Sequence, residues 1–179
     1  MTTDNTGRAK ELDYHVARVL LLVVSFTKPR GGGIDGLTKL AKLDFLIRYP
    51  VMLERLAFEL DPTMDLRGSS PTDAERLAVE SRMVRYKFGP WDDNYYPIVG
   101  ALIGMGLIQT VPGRGRIAVR ATPAGAKLSE SLARDKNWRI VALRCRLTAR
   151  HFDMSGNSLK ELIYASLPEA INRPHRSMI

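Results

Sequence analysis

The sequence predicts a mainly α-helical protein with one small β-hairpin. Apolar residues recur at the 3.6-residue spacing of a helix over most of the chain. A single stretch, residues 107–121, instead has two short strand-like runs separated by a turn with two glycines. The 179 residues are enough for one domain with a substantial core and a small appended helical unit.

The N-terminal third is expected to contain a buried helix followed by a glycine-rich loop. Residues 1–11 are polar and predict a flexible N-terminus, whereas residues 12–26 are apolar on most sides of a helix. Residues 28–36 contain Pro29 and three consecutive glycines, which predict a loop. Such a run can cradle phosphate, but a P-loop needs a preceding strand and a Gly-Lys-Ser/Thr ending. Both are missing, so phosphate binding at this loop is not favoured.

Two further helices and a polar loop are predicted next. Residues 37–49 and 51–60 have helical apolar stripes and are separated by a proline. Within the first, Asp44 is expected to pair with Arg48 one turn on. Residues 61–74 are rich in Pro, Ser and Asp and predict a mobile loop.

The middle of the chain predicts two helices that lead to the hairpin. Residues 75–84 are expected to be helical, and residues 93–105 carry one apolar helical face. Asp92 or Asp93 offers the N-cap of the second helix, a role that explains these adjacent carboxylates without catalysis. Gly106 is a typical C-terminal stop.

The hairpin is the most informative feature of the sequence. Residues 107–111 and 117–121 are the strand-like runs, with Pro-Gly-Arg-Gly-Arg between them. Thr122 and Pro123 have the residue types of a helix cap and a first helical position. The order helix, hairpin with a basic tip, helix is that of a winged helix-turn-helix domain, which we assign to residues 12–135.

The C-terminal residues 136–179 are expected to form a helical extension. Residues 138–152 predict one helix of this pair. Residues 158–167 predict the other, because Ser158 and Glu161 have the spacing of a capping box.

The net charge of +8 is concentrated in residues 113–150. This stretch has two acidic residues and ten basic ones: Arg114, Arg116, Arg120, Lys127, Arg134, Lys136, Arg139, Arg144, Arg146 and Arg150. A basic surface directed at a negatively charged partner is therefore expected.

Two groups of arginines are the candidate binding residues. The hairpin group consists of Arg114, Arg116 and Arg120. These arginines suit phosphate contact but are equally compatible with a solvated turn. The second group consists of Arg139, Arg146 and Arg150. On the helix over 138–152 these side chains fall within about 40° of one another. This second row suits either a nucleic-acid backbone or an acidic protein.

The helix over 93–105 has few side chains that could read bases. Apart from Asn94 at its start, its exposed face offers Gly100, Ala101 and Gly104. The two glycines lie four residues apart on one face and predict a surface on which a partner helix packs.

Three segments carry a resemblance to known families. GLTKLAKLDFLIRYP (36–50) and RYKFGPWDDNYYPIVGALIGMGLI (85–108) resemble bacterial winged-helix proteins of the Panacea antitoxin type. With SGNSLKELIYASLPE (155–169) included, the chain looks similar to middle components of ABC three-component, Lamassu-like defence systems. That resemblance implies a small subunit that bridges an SMC-like ATPase and an effector, with no catalytic residue to carry over.

Signs of catalysis and of cofactors are weak. Cys145 is the only cysteine, and the three histidines match no metal-binding spacing. His151 and Asp153 form an HxD pair whose side chains point to different sides of a helix end. We therefore expect no enzyme, no metal and no cofactor. The longest apolar run, residues 19–24, cannot span a bilayer, and the first residues have no signal-peptide pattern, so a cytoplasmic protein is expected.

Three functions remain open at this point. The favoured one is a non-enzymatic adaptor subunit that binds a larger protein and contacts nucleic-acid backbone, or an acidic partner, through the arginines. The second is an autonomous homodimeric transcriptional regulator or antitoxin that binds a palindromic DNA site. The third, an enzyme acting on nucleic acid, is disfavoured.

Overall fold

The computed structural model describes residues 5–29, 31–77, 84–86, 89–113 and 117–167. The helices are α1 (Asn5–Phe26), α2 (Leu37–Arg48), α3 (Pro50–Leu60), α4 (Asp73–Leu77), α5 (Tyr95–Gly104), α6 (Pro123–Arg134), α7 (Arg139–His151) and α8 (Gly156–Ser166). The strands are β1 (Ile34–Asp35), β2 (Val84–Tyr86), β3 (Gly89–Trp91), β4 (Ile108–Pro112) and β5 (Ile117–Ala121). The expectation of a mainly helical protein with a small hairpin is confirmed.

The hairpin belongs to a three-stranded antiparallel sheet with the order β1-β5-β4. β4 and β5 pair from Ile108 opposite Ala121 to Pro112 opposite Ile117, which confirms the predicted hairpin. The third strand, β1, lies inside the segment that was expected to be all loop. A Cβ on the preceding Gly33 would lie 2.2 Å from the Val119 carbonyl oxygen, so only glycine lets this loop approach β5.

A second, two-stranded sheet was not foreseen. β2 and β3 pair from Val84 opposite Trp91 to Tyr86 opposite Gly89. The helix expected over 75–84 is wrong at its end, because Val84 is in a strand. Residues 78–83 lie outside the described part of the chain.

α1 is the central helix of the core. Its residues from Val19 to Val23 are fully or almost fully buried, and it packs against α5, α6, α7 and β5. The prediction of a buried helix is confirmed, although α1 begins at Asn5, inside the segment expected to be a flexible N-terminus.

The predicted N-cap of α6 is confirmed, whereas α8 begins two residues before its predicted start. The Thr122 hydroxyl accepts a hydrogen bond from the Gly125 amide at 3.1 Å, and Pro123 occupies the first turn of α6, as predicted. In α8 the cap is Ser155, whose hydroxyl accepts from the Ser158 amide, so the predicted break before Ser158 is the first turn of the helix.

Residues 61–74, predicted to be a mobile loop, are anchored to the body at several points. Met64 and Leu66 are buried in the core. Arg144 of α7, which is 2% exposed, donates to the backbone oxygens of Ser69 and Ser70 at 2.9 and 3.1 Å. One of the ten cations assigned to a basic surface is therefore internal, which corrects that part of the charge argument.

Among the described residues, the structure contains no helix both long and apolar enough to cross a membrane.

Candidate nucleic-acid and partner-binding surfaces

The tip of the hairpin falls in a gap of the described chain. Arg114 and Arg116 lie outside the described residues, so their placement stays a prediction. Arg120 is on β5, opposite Gln109, and is half-buried. Its Nε is buried and has no hydrogen-bond partner within the described residues. Arg120 is therefore part of the hairpin body more than of its tip.

The arginine row on α7 is exposed as a set. Arg139, Arg146 and Arg150 are all at the surface. The opposite side of α7 is buried against the core and includes Ala142 and Cys145. Burial of one face and the 3.6-residue period leave the three guanidinium groups on a common outer face.

α5 presents a surface without charge or amide groups. Its sequence is YYPIVGALIG, and its exposed residues are Tyr96, Pro97, Gly100, Ile103 and Gly104. A Cβ added to either glycine would meet nothing within 4 Å, so both glycines face open space. Direct base readout needs hydrogen-bonding side chains, and this helix offers only the hydroxyl of Tyr96 on its exposed face.

A buried ionic network fixes α5 to the body. The Asp44 carboxylate of α2 accepts from Arg18 of α1 at 2.7 and 2.9 Å and from the hydroxyl of Tyr95 at 2.7 Å. Arg18, Asp44 and Tyr95 are each no more than 1% exposed. Because Tyr95 is the first residue of α5, the network ties the start of this helix to both α1 and α2.

The electrostatics of this network favour its charged form. Burial alone would raise the pKa of Asp44, but the guanidinium of Arg18 holds it below the ordinary value. Burial raises the pKa of the Tyr95 phenol, and the Asp44 charge raises it further. The pKa of His15, which lies 2.7 Å from the Arg18 guanidinium, is lowered by burial and by the Arg18 charge. The carboxylate, the guanidinium and a neutral phenol are thus present together.

Two predictions about carboxylates in this region are wrong. Asp44 was expected to pair with Arg48, but Arg48 is ion-paired with Asp92 at 2.8 Å. Neither Asp92 nor Asp93 is the N-cap of α5, which is Asn94. Asp92 instead accepts from the Asn94 amide and from Arg48, so it fastens the turn before α5 to α2.

The glycine-rich loop lines a basic cavity of about 930 Å³. We call this cavity the lysine pocket. Its walls come from the loop at 31–33, the start of α2, the turn end of strand β4 and the start of α8. The ionisable side chains in its lining are Lys28, Lys39, Lys42, Lys160, Asp35 and Asp153.

Asp153 is held between two of these lysines. Its oxygens lie 2.6 Å from Lys28 Nζ and 3.0 Å from Lys39 Nζ. Burial alone would raise the pKa of Asp153, but the two ammonium groups hold it below the ordinary value. Asp153 of the HxD pair thus has two lysine partners. Within the described residues no group of three His, Cys, Asp or Glu side chains could hold a metal ion.

The lysine pocket could not be predicted from sequence because its lining comes from three separate segments, 28–42, 112–113 and 153–160. The glycine run by itself lacks a P-loop ending and so does not indicate phosphate binding. A further signal was present in Lys39 and Lys42, which lie three residues apart just after the loop and so share one face of α2.

Comparisons with protein-family models, with curated proteins and with solved structures find no match to this chain.

Proposed function

We propose that this chain is a non-enzymatic winged-helix module that acts as a small adaptor subunit of a bacterial multi-protein complex of the defence type. In this proposal the hairpin arginines, with Arg139, Arg146 and Arg150, contact nucleic-acid backbone or an acidic partner. α5 packs against a larger protein, for which an SMC-like ATPase is the candidate that the sequence resemblance implies. A cytoplasmic location follows from this role.

The order of elements supports the winged-helix part of the proposal. Leaving aside residues 50–91, the chain runs α1, β1, α2, α5, β4, β5, and its sheet has the order β1-β5-β4. In a winged helix the helix before the hairpin occupies the position that enters the major groove, and the hairpin reaches phosphate or minor groove. Here α5 is in that position.

The composition of the exposed face of α5 is the observation that carries the proposal. A sequence-specific DNA reader needs Arg, Lys, Asn or Gln on this helix. The exposed residues of α5 are Tyr96, Pro97, Gly100, Ile103 and Gly104, which suit packing against another protein. This favours an adaptor with backbone contacts over the autonomous regulator.

Electrophoretic mobility shifts with a random-sequence duplex test the nucleic-acid contact. The wild type is expected to bind weakly and without sequence preference, and the double variant Arg114→Glu with Arg116→Glu is expected to lose binding. The matched control is Lys127→Glu with Arg134→Glu, which makes the same charge change at exposed positions of α6. Tight binding to one palindromic operator, or equal loss in the control, would contradict the proposal.

Partner packing is tested with Gly100→Leu. Because a side chain at this position meets open space and leucine is a better helix former than glycine, the variant is expected to stay folded. It is expected to lose co-purification with the larger subunit from the native host. Retention of the partner at wild-type level would exclude α5 as the packing surface.

A further inference from the structure

The lysine pocket has an excess of positive charge inside a concave surface. Among the described residues of its lining, four lysines face two aspartates, which leaves a formal charge of +2 for that part. Two of the lysines, Lys39 and Lys42, are only 6% and 4% exposed. Both have protein partners: Lys39 lies 3.0 Å from Asp153, and Lys42 donates to the Thr38 carbonyl oxygen at 3.3 Å. Concave walls of low dielectric strengthen the attraction of the net positive charge for an anion. Asp153 is shared between Lys28 and Lys39, so a single carboxylate serves two ammonium groups.

Backbone groups add to this attraction. α2 begins at the pocket, and no side chain in the described part of the chain caps its first turn, which contains the lining residue Thr38. The first amides of a helix have no partners within the helix, and the helix dipole places partial positive charge there. The start of α8, with Gly156, opens onto the same pocket. Because the Ser155 hydroxyl already accepts from the Ser158 amide of α8, the first turn of α2 is the helix start that adds backbone donors to the ammonium groups of this lining.

We propose that the lysine pocket binds a ligand with a terminal phosphate group and at least two negative charges. Phosphate oxygens accept hydrogen bonds from lysine and from first-turn amides together, which is the donor set that this pocket offers. Arg139, Arg146 and Arg150 of α7 do not line this pocket, and the proposal does not require that they bind nucleic acid.

The volume of the pocket narrows the ligand class. Cavities that hold whole small molecules span roughly 300–1,000 Å³, and the lysine pocket has about 930 Å³. It therefore has room for a diphosphate or a nucleotide and not only for one phosphate group. The same terminal phosphate chemistry has two sources, a free phosphorylated small molecule or the 5′-phosphate end of a nucleic acid. Pro112 and Gly113, at the turn end of β4, also line the pocket.

Calorimetric titration of the full chain with inorganic pyrophosphate, at physiological ionic strength, tests the proposal. The pocket variant is Lys28→Gln with Lys160→Gln, and the control is Lys127→Gln with Lys136→Gln, which removes the same charge at exposed positions. Wild type and control are expected to bind pyrophosphate equally. The pocket variant is expected to bind at least about tenfold more weakly, because charged hydrogen bonds of this kind contribute roughly a factor of ten each.

A second arm identifies the source of the phosphate. A short duplex with 5′-phosphates is compared with the same duplex with 5′-hydroxyls on all three proteins. Tighter binding of the phosphorylated duplex, lost only in the pocket variant, supports a nucleic-acid end. Binding of pyrophosphate without that difference supports a free ligand.

Two results would overturn the proposal. One is that neither pyrophosphate nor the 5′-phosphate is bound by the wild type. The other is that the pocket variant binds as well as the control. The double variant Arg139→Glu with Arg146→Glu, at exposed positions of α7 that do not line the pocket, separates this proposal from the function proposed above. This variant is expected to keep pyrophosphate binding. Loss of duplex binding in this variant therefore does not contradict phosphate binding in the lysine pocket.

Discussion

Replacing Asp44 with asparagine is expected to destabilise the protein strongly. Asp44 is fully buried and accepts two hydrogen bonds from Arg18 and one from Tyr95. Asparagine has nearly the same volume, so no cavity forms, but the Arg18 charge is left buried without its counter-charge. Breaking a buried ion pair in this way costs about 3–5 kcal/mol.

The size of this effect can be measured by thermal and urea unfolding followed by circular dichroism. In a chain of this length each 1 kcal/mol lowers Tm by about 2–4 °C, so a fall of roughly 6–20 °C is expected. Asp65→Asn is the control, because Asp65 is exposed and pairs only with the exposed Arg67, so little change is expected there. Tyr95→Phe, which removes one charged hydrogen bond, is expected to cost about 1.5–3 kcal/mol. If Asp44→Asn stays within about 1 kcal/mol of wild type, the network does not hold α5 as described.

Three further predictions concern other parts of the fold. The pKa of Glu75 is about 2, chiefly because of its hydrogen bonds from Arg144. The stability that the charged Glu75 contributes is therefore complete above about pH 4.5 and is lost as pH falls towards 2. Glu75→Gln is expected to lower the urea midpoint at pH 7, and the difference from wild type is expected to shrink as the pH is lowered. A difference that does not change with pH would contradict this. Gly125→Ala is expected to destabilise the protein, because the new Cβ would lie 2.0 Å from the Leu107 carbonyl oxygen. Gly100→Ala, where the Cβ meets open space, is expected to stabilise the protein by about 1 kcal/mol. Urea unfolding that gave the opposite order of stabilities would refute the packing described. Cys145 is fully buried and burial raises the pKa of its thiol, so it is expected to react with a maleimide only after unfolding; rapid labelling of the native protein would contradict its burial.

The parts of the fold that depend on local chemistry could be predicted from sequence. The hairpin follows from a glycine-containing turn between two strand-like runs, and the cap at Thr122 follows from its residue type and the proline after it. β1 could not be predicted because it has two residues beside three glycines and exists only through its pairing with β5. The same holds for β2 and β3, whose pairing gives them strand geometry.

The electrostatic contacts were harder to predict because they join distant segments. A rule for neighbours one helical turn apart selects Arg48 for Asp44, but the structure brings in Arg18, which is 26 residues away in sequence. The lysine pocket joins residues as far apart as Lys28 and Lys160. Sequence analysis located the exposed arginines of α7 correctly, because burial of one helix face is a periodic signal. It could not show that Arg144, on the same helix, points inward to Glu75.

The dependence of duplex affinity on salt tests the proposed backbone contact most directly. A protein that neutralises about three to six phosphates of a random-sequence duplex should show log K falling against log salt with a slope of about −3 to −5. We expect a slope in this range for the wild type, and one shallower by about 2 for Arg114→Gln with Arg116→Gln, since two contacts are lost without adding negative charge. A slope near zero, or an unchanged slope in the variant, would contradict the account.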